Sequence, residues 1–218
     1  MAAPPKLELL YFDIHGLGAR CRLAAAIGKV PLTDTRLSRE AFAAIKAEGK
    51  LPYGQLPLLL VDGGATAAIA QSTAILRYLC ALGGLHPSDP LEAAKVDAAL
   101  YGEKDALASF FTIKYAERNG FGAVDAATDA AIFAALNDAV IPRHLASLEA
   151  LLARSGSGWI AGTARPSAAD LAWGTELHAL ANGSLLNLKP SLLDPCPRVR
   201  AFLDQFRALP EVKAYYAL

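Results

Sequence analysis

The hydrophobic positions of this chain change their period along its length. KLELLYF, from Lys6 to Phe12, reads as a strand, and Gly16 and Gly18 break it. ARCRLAAAI then carries a helical pattern with Gly28 as its stop. TDTRL is a second, weaker strand, and REAFAAIKAEG is a short helix ending at Gly49. LPLLLV, the Asp62-Gly63-Gly64 turn and ATAAIA spell a hairpin, because Asp-Gly tolerates the left-handed backbone of a tight turn. STAILRYLCAL is a helix closed by Gly83-Gly84. The order is βαβ, then α, then ββα.

After that the strand period disappears. Asp89-Pro90-Leu91-Glu92 supplies an N-cap, an N1 proline and an N3 glutamate for a long helix. Only helical patterning follows, broken at Gly120 and Gly122, at Ser155 to Gly158 and at the DPCPR stretch. The pattern predicts an α/β domain over 1–84 and an all-helical domain over 85–218, with the boundary between Gly84 and Asp89.

Composition narrows the function classes. Of 218 residues, 54% are hydrophobic, enough for a sizeable core. Lys+Arg and Asp+Glu both number 21, so no broad basic face exists to hold nucleic acid or an anionic membrane. No apolar run approaches the ~18 residues of a membrane span. The start, MAAPPKLELLYF, lacks the long apolar core and cleavage site of a leader peptide. Cys21, Cys80 and Cys196 form no CxxC and no metal-ligand spacing, which suits a reducing compartment. The four histidines share no ligand spacing, so no metal is expected. Gly16-Leu17-Gly18 is not a dinucleotide fingerprint, since Cys21 stands at the third glycine's place. These features predict a soluble, cytoplasmic protein.

Candidate chemistry gathers at the ends of the predicted strands. Proline at 57 donates nothing to a ladder, and a cis bond there leaves the N–H and C=O of Leu56 facing outward, where a peptide-like ligand pairs as an added strand. The start of the Ser72 helix presents N–H groups and a positive dipole end to a carboxylate, with the side chains of Gln71 and Ser72 adding hydrogen bonds. Ser72 as a plain N-cap and Pro57 as a plain strand start are the alternatives. Tyr11, at the end of the first strand, is placed to aim its hydroxyl at a ligand thiolate, or is a core tyrosine. Lys46 shares a helix face with Phe42 and is either a partner for a ligand carboxylate or a solvated lysine. Asp97, Tyr101 and Asp105 recur every four residues, marking a face toward a cleft, a partner subunit or solvent.

In sequence, LLYFDIHGLGARCR, LPYGQLPLL with VDG, QSTAILRYL, KVDAALYGEKD, IPRHL, PSAADLAW and the tail LLDPCPRVRAFLDQFRALPEVKAY resemble a cytosolic glutathione transferase, most similar to the sigma class, over almost the whole chain. The resemblance implies a thioredoxin-like first domain, an all-helical second domain and a homodimer. It implies that glutathione is a co-substrate, with no separate cofactor, and that the activity is conjugation in detoxification. Tyr11 would stabilise the thiolate. Leu56, before a cis Pro57, would pair with the cysteinyl backbone. Gln71 and Ser72 would take the γ-glutamyl carboxylate, Asp105 the γ-glutamyl amine in the other subunit, and Lys46 the glycyl carboxylate with Gln55 beside it. Phe12, Ile14, Tyr101, Phe110, Tyr215 and Tyr216 are the candidates to meet a small apolar electrophile. Ser167 and Asp170 match the family's internal capping box. Two positions depart from the pattern: Phe42 stands where a tryptophan is common, and Leu17 where an arginine often supports the tyrosine, with His15 and Arg20 the nearby replacements. Beside transferase activity stand an isomerase of prostaglandin type, a non-catalytic binding or structural role, and a thiol oxidoreductase using Cys21.

Overall fold

The computed structural model describes residues 5–218; the first four residues of the leader-peptide reading lie outside the described residues. The chain divides into two compact units, one running through Ser88 and taking in Ala214–Ala217, the other holding Asp89–Lys213 with Leu218.

The first unit is built on four strands, β1 (Leu7–Phe12), β2 (Thr33–Leu37), β3 (Leu58–Val61) and β4 (Ala67–Ala70), in the order β2-β1-β3-β4. β1 runs parallel to β2 and antiparallel to β3, and β3 antiparallel to β4. Leu7, Leu9 and Tyr11 alternate into the core, as the period of two in the first strand requires. Helices α1 (Gly16–Gly28), α2 (Arg39–Ala47) and α3 (Ser72–Leu82) complete the βαβ-α-ββα plan.

Two details differ from the expected boundaries. Gly16 and Gly18 do not separate strand from helix; they form the first turn of α1. Gly28 is not the left-handed stop, a role taken by Lys29 at φ 53°. Gly28 is needed for closeness instead: a Cβ added to it would lie 2.8 Å from Cα of Gly83, and one added to Gly83 would lie 2.5 Å from Cα of Gly28. This backbone contact sets the approach of α1 to α3.

The second unit contains α4 (Pro90–Lys114), α5 (Ala126–Ala135), α6 (Ile141–Arg154), α7 (Ala168–Ala181), α8 (Pro197–Ala208) and most of α9 (Pro210–Tyr216). Asp89 caps α4 as expected, accepting from the N–H groups of Leu91 and Glu92. A π-turn over Leu136–Val140 joins α5 to α6, and Pro142 falls in the first turn of α6, where its missing N–H costs least. Ser167 and Asp170 form the expected capping box on α7. The Asp170 carboxylate accepts from Ser167 N–H (2.7 Å), Ser167 Oγ (2.7 Å) and Ile160 N–H (2.8 Å). Trp173 Nε1 donates to the carbonyl of Ala99 over 2.9 Å, tying α7 to α4. Among the described residues no helix is long and apolar enough to cross a membrane.

Candidate functional site

Strand register alone assembles most of the predicted site in the first unit. Leu10 pairs with Leu58, and Leu58 with Ala70. One step further along the same antiparallel ladders, Tyr11, Pro57 and Gln71 follow side by side across one end of the sheet. Tyr11 also pairs with Arg36 of β2. The Leu56–Pro57 peptide is cis, and Leu56 precedes the ladder, whose register starts at Leu58.

Gln71 occupies φ 74°, ψ 114°, a region that costs a non-glycine residue about 1–3 kcal/mol and that persists where surrounding structure enforces it. It is the N-cap of α3 but makes no side-chain capping bond, and Ser72 is the first helical residue, not the cap. The side chain of Gln71 is exposed and that of Ser72 is buried at the helix start. The positive end of the α3 dipole therefore carries the Gln71 side chain, not spent on capping, beside the buried Ser72.

Tyr11 is held from several sides. It is 7% exposed. The N–H of Leu17, in the first turn of α1, donates to its phenol oxygen over 3.1 Å. Cβ atoms added at Gly16 and Gly18 would stand 2.7 Å from the phenol oxygen and 2.4 Å from Cδ1, so the two glycines leave room for the ring. The carbonyl of Leu17 and that of Ser72 both lie against Sγ of Cys21, at 3.8 and 3.7 Å. Cys21 thus packs between the tyrosine's helix turn and the start of α3, buried like Cys80 and Cys196.

Among the described residues the cation placed over the Tyr11 ring is that of Arg22, its Cζ 5.6 Å from the centroid. Arg22 was missed by the sequence reading, which looked to His15 and Arg20. Gly18 and Arg22 are four apart on α1 and so share the face that meets Tyr11, which is the signal that points to it. Arg20 is wholly buried. His15 is no substitute cation: burial first, and then the charges of Arg22 and Arg36, push its pKa below the ordinary value against an opposing Asp13, so it is neutral at pH 7. Its ring lies 5.2 Å from Tyr215 and 5.1 Å from Tyr216 in the returning tail.

Phe12 and Phe42 meet edge to face at 5.2 Å, and Phe12 lies 5.7 Å from Tyr11. Nζ of Lys46 sits 5.8 Å from the Phe42 ring, and its Cε would lie 3.4 Å from a Cβ on Gly54, next to the exposed Gln55. Phe42, Lys46 and the Gly54–Gln55 turn are therefore one cluster. Ile14 is 57% exposed. On α4 of the second unit, Asp105 is exposed and Tyr101 is 54% exposed. Phe110 is a correction: at 1% exposed, packed at 5.2 Å on Phe111 and 6.3 Å on Phe133, it belongs to the core of the helical unit and offers no surface to a substrate. A cleft of about 630 Å³ lined by Lys6, Lys29, Val30, Pro31 and Leu82 lies at the opposite end of β1 from Tyr11, away from this row.

A thioredoxin-like domain carrying a tyrosine, a cis-proline and a polar helix start in one row, followed by an all-helical domain, defines the class. Residues 114–217 match the family model "Glutathione S-transferase, C-terminal domain". The chain is 33% identical to glutathione S-transferase 1 of Ascaris suum over 98% of this chain and 96% of that one. It is 31% identical to hematopoietic prostaglandin D synthase of Gallus gallus over 97% and 95%. The crystal structure of the glutathione S-transferase from Ascaris lumbricoides superposes with a TM-score of 0.78 at 33% identity, covering 98% of this chain and 97% of that one. The chain belongs to the glutathione S-transferase family and is an enzyme of that family, a glutathione transferase.

Proposed function

We propose that this enzyme binds glutathione along the Tyr11–Pro57–Gln71 row and uses the Tyr11 hydroxyl to hold the thiol as a thiolate, which attacks a small apolar electrophile. The observation that carries this reading is the seating of Tyr11. Its oxygen accepts from Leu17 N–H, and its own O–H donates to the thiolate. A free thiol, with pKa about 8.5, is only about 3% ionised at pH 7, so each unit of lowering is worth about 1.4 kcal/mol toward the reactive form. Ser72, Gln71 and the positive end of α3 take the γ-glutamyl carboxylate. Leu56 pairs with the cysteinyl backbone. Lys46 and Gln55 take the glycyl carboxylate, and Asp105 takes the γ-glutamyl amine from a second copy of the chain in a homodimer. Phe42 supports Lys46 but offers no indole N–H, so the glycyl end is held more loosely than with tryptophan. Phe12, Ile14, Tyr101 and the Tyr215–Tyr216 pair are proposed to meet the electrophile. A sigma-like class, a cytoplasmic location and a detoxifying role follow from the same reading. The 31% identity to a prostaglandin D synthase favours glutathione-dependent isomerisation as the second activity to assay.

The test is the thiolate absorbance of glutathione bound to wild type and to Tyr11→Phe, titrated with pH. A bound thiol titrating below the free value in wild type, and near it in the variant, supports the reading. Binding with an unshifted thiol in both would leave a glutathione-binding scaffold, and absence of binding would sink the proposal.

A further inference from the structure

Arg22 is a buried side chain that no binding role yet uses, and its guanidinium is satisfied on every side within the first unit. Nη1 donates to the carbonyl of Ile14 over 2.7 Å and Nη2 to that of Phe12 over 3.2 Å. Nε donates to Oδ1 of Asp34 over 2.9 Å, and Nη1 also reaches the hydroxyl of Tyr215 at 3.4 Å. Asp34 is shared with Arg36, which also pairs with Asp13. The two carbonyls flank Asp13 in the connection from β1 to α1, the same connection that delivers Leu17 N–H to the Tyr11 oxygen. A planar fork binds two carbonyls and a carboxylate at once, which a lysine ammonium does not reproduce.

We propose that Arg22 is a positioning residue of this enzyme: it fixes the β1–α1 turn and sets a positive charge beside the Tyr11 ring, with Tyr215 docking the returning tail on the same guanidinium. The proposal rests on the reading of Tyr11 given above. The charged and titratable groups around the guanidinium are Asp34 and Arg36 from β2, Asp13 and His15 from the β1–α1 turn, Tyr11 from β1 and Tyr215 from α9. Burial works against the charge on Arg22, but the bonds to Asp34 and Tyr215 outweigh it and hold its pKa above the ordinary value, so the cation is permanent. With no charge at residue 17, a cation 5.6 Å from the ring centroid stabilises negative charge building on the phenol oxygen and on the thiolate bonded to it.

The experiment compares wild type, Arg22→Gln, Arg22→Lys, Tyr215→Phe and Tyr11→Phe, each complexed with glutathione, by the pH titration of thiolate absorbance and by kcat and KM with an aryl halide. Arg22→Gln is expected to raise the bound thiol pKa by about one unit and to lower kcat near neutrality about tenfold, with glutathione KM changed less than about threefold, since Gln71, Ser72 and Lys46 are untouched. Arg22→Lys is expected to restore part of that shift, and Tyr215→Phe to produce a smaller shift of the same sign. A merely structural role would lower thermal stability yet leave the thiol pKa of the folded protein at the wild-type value; that result in Arg22→Gln overturns the proposal. Should Arg22→Gln not fold, an unchanged thiol pKa in Tyr215→Phe overturns it. A shift in Tyr11→Phe without one in the Arg22 or Tyr215 variants defeats this inference alone, whereas a wild-type protein that does not lower the thiol pKa defeats the reading of Tyr11 as well.

Discussion

The N–H of Leu17 donates to the phenol oxygen of Tyr11 over 3.1 Å, and the glycines on either side of Leu17 are what let the ring come that close. A methyl at 18 would stand 2.4 Å from Cδ1 of Tyr11, so the ring must move if Gly18 becomes alanine. Alanine is the better helix former by about 1 kcal/mol, so stability is partly protected while geometry is not. Gly18→Ala is expected to lower kcat/KM by about 10–100-fold and to lower the thermal midpoint as well, since the ring it displaces is buried, read by steady-state kinetics beside calorimetry.

Ser72 and Lys46 should contribute unequally to glutathione binding. Ser72 is buried at the start of α3, where a hydrogen bond to a carboxylate is worth about 1.5–3 kcal/mol, so Ser72→Ala is expected to weaken glutathione by roughly 10–100-fold. Lys46 is exposed, where an ion pair is worth about 0–1 kcal/mol, so Lys46→Ala should weaken it by no more than about fivefold and less in high salt. Titration calorimetry at two ionic strengths separates the two; equal losses would refute the assignment of the anion site to the helix start.

Gly28 and Gly83 face each other at backbone distance, so neither tolerates a side chain without parting α1 from α3. Gly83→Ala, whose Cβ would stand 2.5 Å from Cα of Gly28, is expected to cost about 1–3 kcal/mol or more by denaturant unfolding. A midpoint equal to wild type would show that the helices relax freely.

Glu149 of α6 caps α8 from a distance of 49 residues in sequence. Its carboxylate accepts from Arg198 N–H at 3.0 Å and Val199 N–H at 2.9 Å, with the Arg198 guanidinium at 3.3 Å. Partial burial opposes its charge, but these bonds outweigh it and hold its pKa below the ordinary value. A depressed folded pKa means stability that is present above the unfolded pKa and is lost as pH falls through the folded one. Glu149→Gln is expected to destabilise by about 1–2 kcal/mol at pH 7, with the gap from wild type closing below about pH 4. Unfolding curves across pH 3–8 check the sign.

Much of this protein is legible in its sequence because the signals are local. The strand period of Lys6 to Phe12, the Asp-Gly turn, the Asp89-Pro90 helix start and the Ser167–Asp170 box each act within a few residues, and the structure has all of them. The same local signals place Tyr11 at the end of the first strand, Pro57 at the start of the hairpin and Gln71 at the start of the helix after it. What the tertiary structure alone decided depends on partners far apart in the chain. Gly28 reads as a helix stop, yet it serves a contact with Gly83 that no window around residue 28 contains. Phe110 reads as an available aromatic, yet Phe111 and Phe133 bury it. Arg22 reads as one more cation on a helix, yet folding brings it Asp34, two carbonyls, Tyr215 from the other end of the chain and the ring of Tyr11. Periodicity says which face of a helix is covered; only long-range packing says what covers it, and that decides whether a residue is filler, clamp or chemistry.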